Sequence, residues 1–325
     1  MNNIIPSGPE LLAAIERLRR ERKAVILGHY YQDPAIQDLA DFTGDSLQLA
    51  RAARDTDAEV ILFCGVHFMA ETAKILNPDR VVIVPDMEAG CSLADSCPAD
   101  QLAAWKAQHP DHLVVSYINC TAGTKALSDI ICTSSNAEAV IRSLPADRPI
   151  LFAPDRNLGA WLIRVTGREM DLWPGTCIVH ETFSEQALLD LKVEHPSAVV
   201  LAHPECEPAI LAHADVIGST SKLLSYASSA GEATLVIATE PGIIHQMRRA
   251  NPAATYLELP GQDGGCQCNE CPFMRMNTLQ KIYVALRDLE PRIEMDEPLR
   301  LQALAPLERM MALSAPVSQQ GKPQL

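Results

Sequence analysis

Ten cysteines occur in this 325-residue chain, and three of them recur at nearly one period. Cys91 follows Glu88-Ala89-Gly90, Cys177 follows Pro174-Gly175-Thr176, and Cys271 closes the run Gly264-Gly265-Cys266-Gln267-Cys268-Asn269-Glu270-Cys271. The steps from 91 to 177 and from 177 to 271 are 86 and 94 residues. One thiolate per repeat, each just after a glycine turn, would converge on a single centre and leave a metal or cluster one open position for chemistry. Cys64, Cys97, Cys120, Cys132 and Cys206 are isolated or flanked by strand residues and read as small buried hydrophobes. The group Cys266-x-Cys268-x-x-Cys271 is locally the strongest metal signal. A zinc site there would want a fourth soft ligand that the local spacing does not offer, and Cys268 with Cys271 could instead form a redox disulfide. Repeat position favours Cys271 as the ligand.

Other reactive residues sit at the same kind of place. His29, His180 and His203 lie at predicted strand ends, where a histidine is either a hydrogen-bonded structural residue or a catalyst. Glu205 follows His203 by two residues, so their side chains leave one strand mouth on the same side. With Tyr31 and Tyr117 they make an acid/base set. Ser46, Ser134 and Thr220 stand where helices should begin. Each alone is an ordinary N-cap, but three helix N-termini aimed at one pocket would bind carboxylates and phosphate without surplus lysine. His109, His112, His195 and His213 fall in helix–strand connections and are given no role.

The elements that must position these residues repeat as well. Val/Ile/Leu runs occur at 24–27, 60–63 and 81–84, at 113–115, 130–131 and 150–152, and at 198–201, 216–217 and 235–238. Such runs, without alternation, indicate strands covered on both faces, as in parallel sheets. Helical patterns separate them at 47–54, 137–144 and 222–228, which gives an α/β chain. His29 to Tyr117 is 88 residues and Tyr117 to His203 is 86; Ser46, Ser134 and Thr220 repeat the same two steps. The chain therefore reads as three similar α/β units presenting the carboxyl ends of their strands to a shared centre. Ser7-Gly8-Pro9-Glu10 has capping-box spacing before a helix over 11–22. A helix is expected over 273–289, packing back on the first unit, and 315–325 is expected to be a loose tail.

The formal charge is −14 and 47% of the residues are hydrophobic. An acidic chain without a basic field is a poor nucleic-acid binder. No stretch is long and apolar enough to span a bilayer, and Met1 to Pro6 lacks the pattern of a secretory signal. A cytosolic location is expected, where clustered thiols more often bind metals than pair.

These motifs resemble the quinolinate synthase family of iron–sulfur enzymes in de novo NAD biosynthesis. The resemblance rests on Gly28-His29-Tyr30-Tyr31-Gln32, Gly44-Asp45-Ser46, the run from Phe63 to Glu71, and Ala89-Gly90-Cys91-Ser92. It continues through Cys132-Thr133-Ser134-Ser135-Asn136, the run from Pro154 to Gly159, His203-Pro204-Glu205-Cys206, Gly218-Ser219-Thr220-Ser221 and Asn277-Thr278-Leu279. It implies three similar three-layer α/β/α domains with parallel sheets around a pseudo-threefold axis. The expected boundaries are 1–90 with 272–314 packed on it, 91–177 and 178–271. It implies a [4Fe-4S] cluster on Cys91, Cys177 and Cys271, with one open iron acting as a Lewis acid. The implied reaction condenses iminoaspartate with dihydroxyacetone phosphate, losing phosphate and two waters to give quinolinate. Carried over residue by residue, His29, Ser46, Tyr117, Asn119, Ser134, His180, His203, Glu205 and Thr220 form the substrate pocket. Glu205 is the main proton-transfer carboxylate, with Tyr31, Tyr117 and His203 assisting. Functional coupling to an L-aspartate oxidase is a possible partnership. The sequence departs from the family at Lys222, where glycine is common, so the helix start or local charge there could differ.

The alternatives are another three-cysteine [4Fe-4S] hydro-lyase acting on a small di-acid, and a non-catalytic iron–sulfur or zinc sensor. The absence of a basic helix or output module counts against the sensor.

Overall fold

The computed structural model describes residues 5–262 and 269–314. Cys266, Cys268 and the segment 315–325 lie outside the described residues. Twelve strands form three four-stranded parallel sheets. The first holds β1 (Ala24–His29), β2 (Phe42–Gly44), β3 (Val60–Cys64) and β4 (Val81–Ile83). The second holds β5 (Leu113–Tyr117), β6 (Ile130–Cys132), β7 (Ile150–Ala153) and β8 (Asp171–Leu172). The third holds β9 (Val199–Ala202), β10 (Val216–Ile217), β11 (Thr234–Ala238) and β12 (Thr255–Glu258). Their spatial orders are β2-β1-β3-β4, β6-β5-β7-β8 and β10-β9-β11-β12. Each chain segment thus winds first to one side of its opening strand and then to the other. That reversal opens a crevice at the carboxyl ends of the two central strands.

The unbroken apolar runs are explained by cover on both faces. In the first sheet Leu27, Ile61 and Phe63 enter one core, while Ile26, Leu62 and Cys64 enter another on the opposite face. The third sheet divides in the same way, with Val200 and Val236 on one side and Leu201, Leu235 and Ile237 on the other. Alternate strand residues point to opposite faces, so two covered faces leave no polar position in the run.

One repeated contact fixes the register. Asp41 accepts from the Ile26 amide, Asp129 from Val114 and Asp215 from Val200, each through Oδ2 at 2.8 Å. The amide of each aspartate donates back to the carbonyl of the same strand residue, at 2.9, 2.8 and 3.0 Å. Every second strand is thereby held 15 residues from its partner, as His29 to Gly44, Tyr117 to Cys132 and Ala202 to Ile217. A slip of one residue would turn each strand's apolar set the wrong way.

Several local expectations change. Ser7 precedes the helix Gly8–Glu21 but makes no side-chain cap. The helix expected over 273–289 is two helices, Pro272–Arg275 and Leu279–Asp288. Between them Asn277 donates to the Gly65 carbonyl and Thr278 caps the second helix at Lys281. Leu279–Asp288 packs on Gly8–Glu21 and β3, on the first sheet. The last helix, Glu297–Leu313, does not pack back on the first unit alone. It lies chiefly against the helix Ala122–Leu127 and β6, with a smaller contact on the helix His67–Leu76. Its apolar residues Ala303, Leu307 and Met310 join one core shared by the first and second sheets, which explains the shift.

Gly175 is not at a left-handed turn; it permits close approach. A Cβ there would meet the Pro154 carbonyl oxygen at 2.5 Å and also strike Ser96, while a Cβ on Gly90 would find its nearest atom, on Phe273, at 3.5 Å. Backbone cannot yield as a flexible side chain can. Gly175→Ala should therefore lower stability by about 1–3 kcal/mol. Gly90→Ala should change it little. Thermal melts of the two cluster-free variants against the parent chain would check this, and equal melting temperatures would refute it.

Candidate active site

The carboxyl ends of the three sheets meet at one cavity. His29 ends β1 and lines it, as do Tyr31, Tyr117, Asn119, His203 and Glu205 from the corresponding loops of all three units. Ser46, Ser134 and Thr220 line it too, with Cys91, Cys177, His180 and Cys271. The histidines, tyrosines, hydroxyl residues, Asn119, Glu205 and the three periodic cysteines singled out in the sequence therefore line one cavity. No lysine or arginine lines the cavity among the described residues, whereas Asp45, Glu205 and Glu240 do.

The hydroxyl residues are not caps. Asp45 caps the helix Ser46–Asp55 in a capping box with Gln48, and Ser219 caps the helix Thr220–Ser229. Ser46 and Thr220 are thus the first residues inside their helices, with their hydroxyls left for other work. Ser134 departs from the expectation of a helix start: it lies in a turn, and the helix begins at Ala137. Thr133 and Asn136 close that turn, with the Thr133 amide donating to Asn136 Oδ1 at 2.6 Å. Lys222 turns its ammonium back to the Ile217 carbonyl at 2.9 Å while its amide donates to the capping Ser219 hydroxyl at 3.3 Å. It leaves the helix start regular and is absent from the cavity wall.

Glu205 is the centre of the polar network. Its Oε1 accepts from the Tyr117 hydroxyl at 2.6 Å, and its Oε2 lies 3.0 Å from His180 Nδ1. Burial pushes this carboxyl up, but the His203 and His180 rings and the Tyr117 hydroxyl outweigh it and hold the group down, at about 2. The Glu205 amide donates to His203 Nδ1 at 3.4 Å, and the Tyr31 amide donates to His29 Nδ1 at 3.2 Å. Both rings therefore present an acceptor nitrogen to the chain. Burial pushes each of them down to about 4, against the pull of Glu205 and Asp45. The cavity holds an ionised carboxylate beside two imidazoles that are neutral above about 4, so near neutrality its support is the Tyr117 hydroxyl and His180.

A second line of contacts runs from His180. Its Nε2 is 3.0 Å from Thr239 Oγ1, which is 2.8 Å from the Tyr31 hydroxyl, itself 3.2 Å from Thr220 Oγ1. Burial, ahead of the opposing Thr220 and Thr239 contacts, pushes the Tyr31 hydroxyl well above its ordinary range, and burial with Glu205 does the same to Tyr117. Both phenols stay protonated near neutrality. Thr239 and Glu240 were not anticipated from sequence. The one available signal was position: they follow β11 as Pro154-Asp155 follow β7. Glu240 is buried, accepts from the Cys271 amide at 3.4 Å and from Arg275 at 2.7 Å, and is pushed by burial up to about 8.

The thiols separate into two kinds. Cys64, Cys97, Cys120, Cys132 and Cys206 are buried, while Cys91, Cys177 and Cys271 are half-buried at the cavity, and all eight are unpaired. Burial raises Cys91 to about 12 and Cys271 to about 11, and raises Cys177 well above its ordinary range. Three thiols in one poorly solvated cavity, with no ammonium or guanidinium on its wall among the described residues, fit a metal or cluster whose positive charge makes thiolates stable.

Fold and cavity together define an α/β enzyme whose site lies at the crevice shared by three parallel sheets. A family model described as quinolinate synthetase A protein matches residues 13–312. The quinolinate synthase of Thermosynechococcus vestitus is 62% identical over 305 residues, covering 94% of this chain and 96% of that protein. Those of a Synechococcus strain and of Prochlorococcus marinus are 60% and 59% identical, over 94% and 93% of this chain and 96% and 90% of their own lengths. The chain belongs to the quinolinate synthase family. No helix among the described residues is long and apolar enough to cross a membrane.

The two neutral histidines make a pH test. An unfolded histidine takes a proton near 6.5, whereas His29 and His203 resist it until about 4. Stability from each is full above pH 6.5 and is lost as the pH falls toward 4, on the order of 3 kcal/mol per ring. Melting temperatures of the cluster-free chain should fall steadily over that window, and His203→Gln should make the fall shallower. An unchanged slope in the variant would mean that His203 is not held neutral.

Proposed function

We propose that the chain catalyses quinolinate synthesis, joining iminoaspartate to dihydroxyacetone phosphate with loss of phosphate and two waters. The atoms balance without an oxidant or reductant, so the work is condensation, proton transfer and elimination. The observation that carries the reading is the meeting of three half-buried thiols with the Tyr117–Glu205 pair in one cavity of a quinolinate synthase family chain. Cys91, Cys177 and Cys271 would hold a [4Fe-4S] cluster, which when bound supplies a Lewis acid at its one iron lacking a protein thiolate.

The chain's own groups divide the remaining work. Glu205, ionised and buried, is the general base for tautomerisation and for the proton losses that accompany dehydration. Tyr117 holds Glu205 in place, and Tyr31, linked through Thr239 to His180, delivers a proton to a leaving hydroxyl. His203 and His29, both neutral, donate through Nε2 to substrate oxygens. Asn119 lines the cavity with its Oδ1 buried and unpartnered, which suits a donor on the substrate. Ser46 and Thr220, with the free amides of their helix starts, and Ser134 receive carboxylate and phosphate oxygens. This accounts for acidic substrates in a cavity without lysine or arginine among the described residues.

The same reading divides the chain at 90/91, 177/178 and 271/272, placing one ligand thiol at each boundary. It locates the enzyme in the reducing cytosol, where the eight unpaired thiols are stable. An L-aspartate oxidase would supply the short-lived imine. Another hydro-lyase with the same three thiols is the alternative, and substrates separate the two.

The deciding experiment is anaerobic. The iron- and sulfide-reconstituted chain is given dihydroxyacetone phosphate and iminoaspartate generated in place, and quinolinate is measured by chromatography. The parent should make it, Cys177→Ala should not, and a loaded parent that makes none would transfer the assignment to the hydro-lyase. Glu205→Gln should keep the cluster's absorption while lowering turnover at least about 100-fold, the general-base contribution. Full turnover in that variant would remove Glu205 from the mechanism.

A further inference from the structure

Cys177, His180 and Glu205 bring a sulfur, a nitrogen and a carboxylate oxygen within 4.8 Å of one another. His180 Nδ1 is the hub, 3.2 Å from Cys177 Sγ and 3.0 Å from Glu205 Oε2. Its other nitrogen is held by Thr239 at 3.0 Å. A hydrogen bond on the far nitrogen is how a metal-binding imidazole is usually oriented. Glu205 is likewise fixed from behind by Tyr117 at 2.6 Å. His180 and Glu205 are almost wholly buried, at 2% and 3% exposure. With the His180 proton on Nε2 and donated to Thr239, the Nδ1 lone pair faces the same point as Cys177 Sγ and Glu205 Oε2.

We propose that in the cluster-free chain these three residues form a zinc site distinct from the three-thiol set. Tetrahedral zinc with bonds of about 2.0–2.3 Å keeps its donors roughly 3.4–3.5 Å apart. The two separations to His180 Nδ1 need open by only a few tenths of an ångström, and the third, between Cys177 and Glu205, is within 4.8 Å and closes as the metal draws both in. The charges also close: a thiolate and a carboxylate neutralise the dication, so the occupied site buries no net charge. Binding forms the zinc–sulfur bond and releases the Cys177 thiol proton to solvent; nothing is oxidised or reduced. Mixed sulfur, nitrogen and oxygen donors suit zinc better than the hard cations calcium or magnesium. The fourth position faces the cavity and takes water.

The consequence is competition. Zinc held there occupies Cys177 and Glu205 together, so the cluster cannot be loaded until the zinc leaves. The site is defined on the cluster-free chain, and its failure would leave the catalytic reading untouched.

The test is a zinc titration of the full, reduced, cluster-free chain against a chromophoric chelator. It is run in a background carrying Cys266→Ser and Cys268→Ser so that those thiols do not compete. One zinc per chain should bind. Cys177→Ala and Glu205→Gln should each weaken it more than about 100-fold, beyond the range of a supporting residue. Thr239→Val should cost about 10–100-fold. Cys91→Ala and Cys271→Ala should leave the affinity unchanged. No stoichiometric binding, or a loss in Cys91→Ala or Cys271→Ala as large as in Cys177→Ala, would overturn the proposal. If the Cys177 variant fails to fold, the parent loaded with cobalt decides: charge-transfer absorption of one thiolate supports the site, and that of three refutes it.

Discussion

The site depends on keeping one carboxylate ionised in a cavity that has no lysine or arginine on its wall among the described residues. An unpaired buried charge costs several kcal/mol, and without compensation the group takes up a proton instead. Glu205 is compensated from several directions: Tyr117 reaches it from the second unit, and His180 from the segment just after Cys177. Tyr117 ends β5 of the second sheet, whereas Glu205 follows β9 of the third. The pair therefore exists only when the two units are assembled, and a contact that joins them also sets the protonation of Glu205. Thr239 extends the same network to Tyr31 in the first unit. The three units are tied at their centre by hydrogen bonds and at their flanks by apolar cores.

Repetition built the frame, and divergence at equivalent positions made the chemistry. The residue two places after each opening-strand landmark is Tyr31, Asn119 and Glu205 in turn, a phenol, an amide and a carboxylate. The landmark itself is His29, Tyr117 and His203. After the third strand of each unit the corresponding residues are Val66, Asp155 and Glu240. Asp155 and Glu240 are both buried, and burial raises both, yet they serve different ends. Asp155 caps the helix Arg156–Thr166, whereas Glu240 accepts from Arg275 and from the Cys271 amide. A backbone repeat gives each position the same direction of approach. The side chain then decides whether it supports or reacts.

What the sequence reveals follows from how strongly physics marks it. Strands covered on both faces must be apolar without interruption, so β1, β3, β5, β7, β9 and β11 stand out in the chain. Edge strands carry no such burden. β8 is two residues long, and β12 alternates exposed Thr255 with buried Tyr256, so neither gives a distinctive run. Periodicity placed Ser134 level with Ser46 and Thr220 but could not show the extra turn, which depends on Asn136 Oδ1 accepting from the Thr133 amide. Thr239 and Arg275 were illegible for another reason. Their roles come from partners far along the chain, and one sequence carries no trace of such pairings.

Arg275 shows how far that dependence reaches. One arm of its guanidinium donates to the Tyr31 carbonyl and to Asp33, both at 3.0 Å, and the other to Glu240 at 2.7 Å. Glu240 in turn takes the amide of Cys271. The backbone of a cavity tyrosine and that of a candidate ligand cysteine, 240 residues apart, are therefore fixed to the two arms of one planar group. A planar fork holds such partners with little freedom, which an ammonium on a flexible stem does not reproduce. Residues that share partners in this way do not contribute independently. Substitutions at Tyr31, Glu240, Arg275 and Cys271 act on one object, and their separate effects will not sum to the effect of losing it.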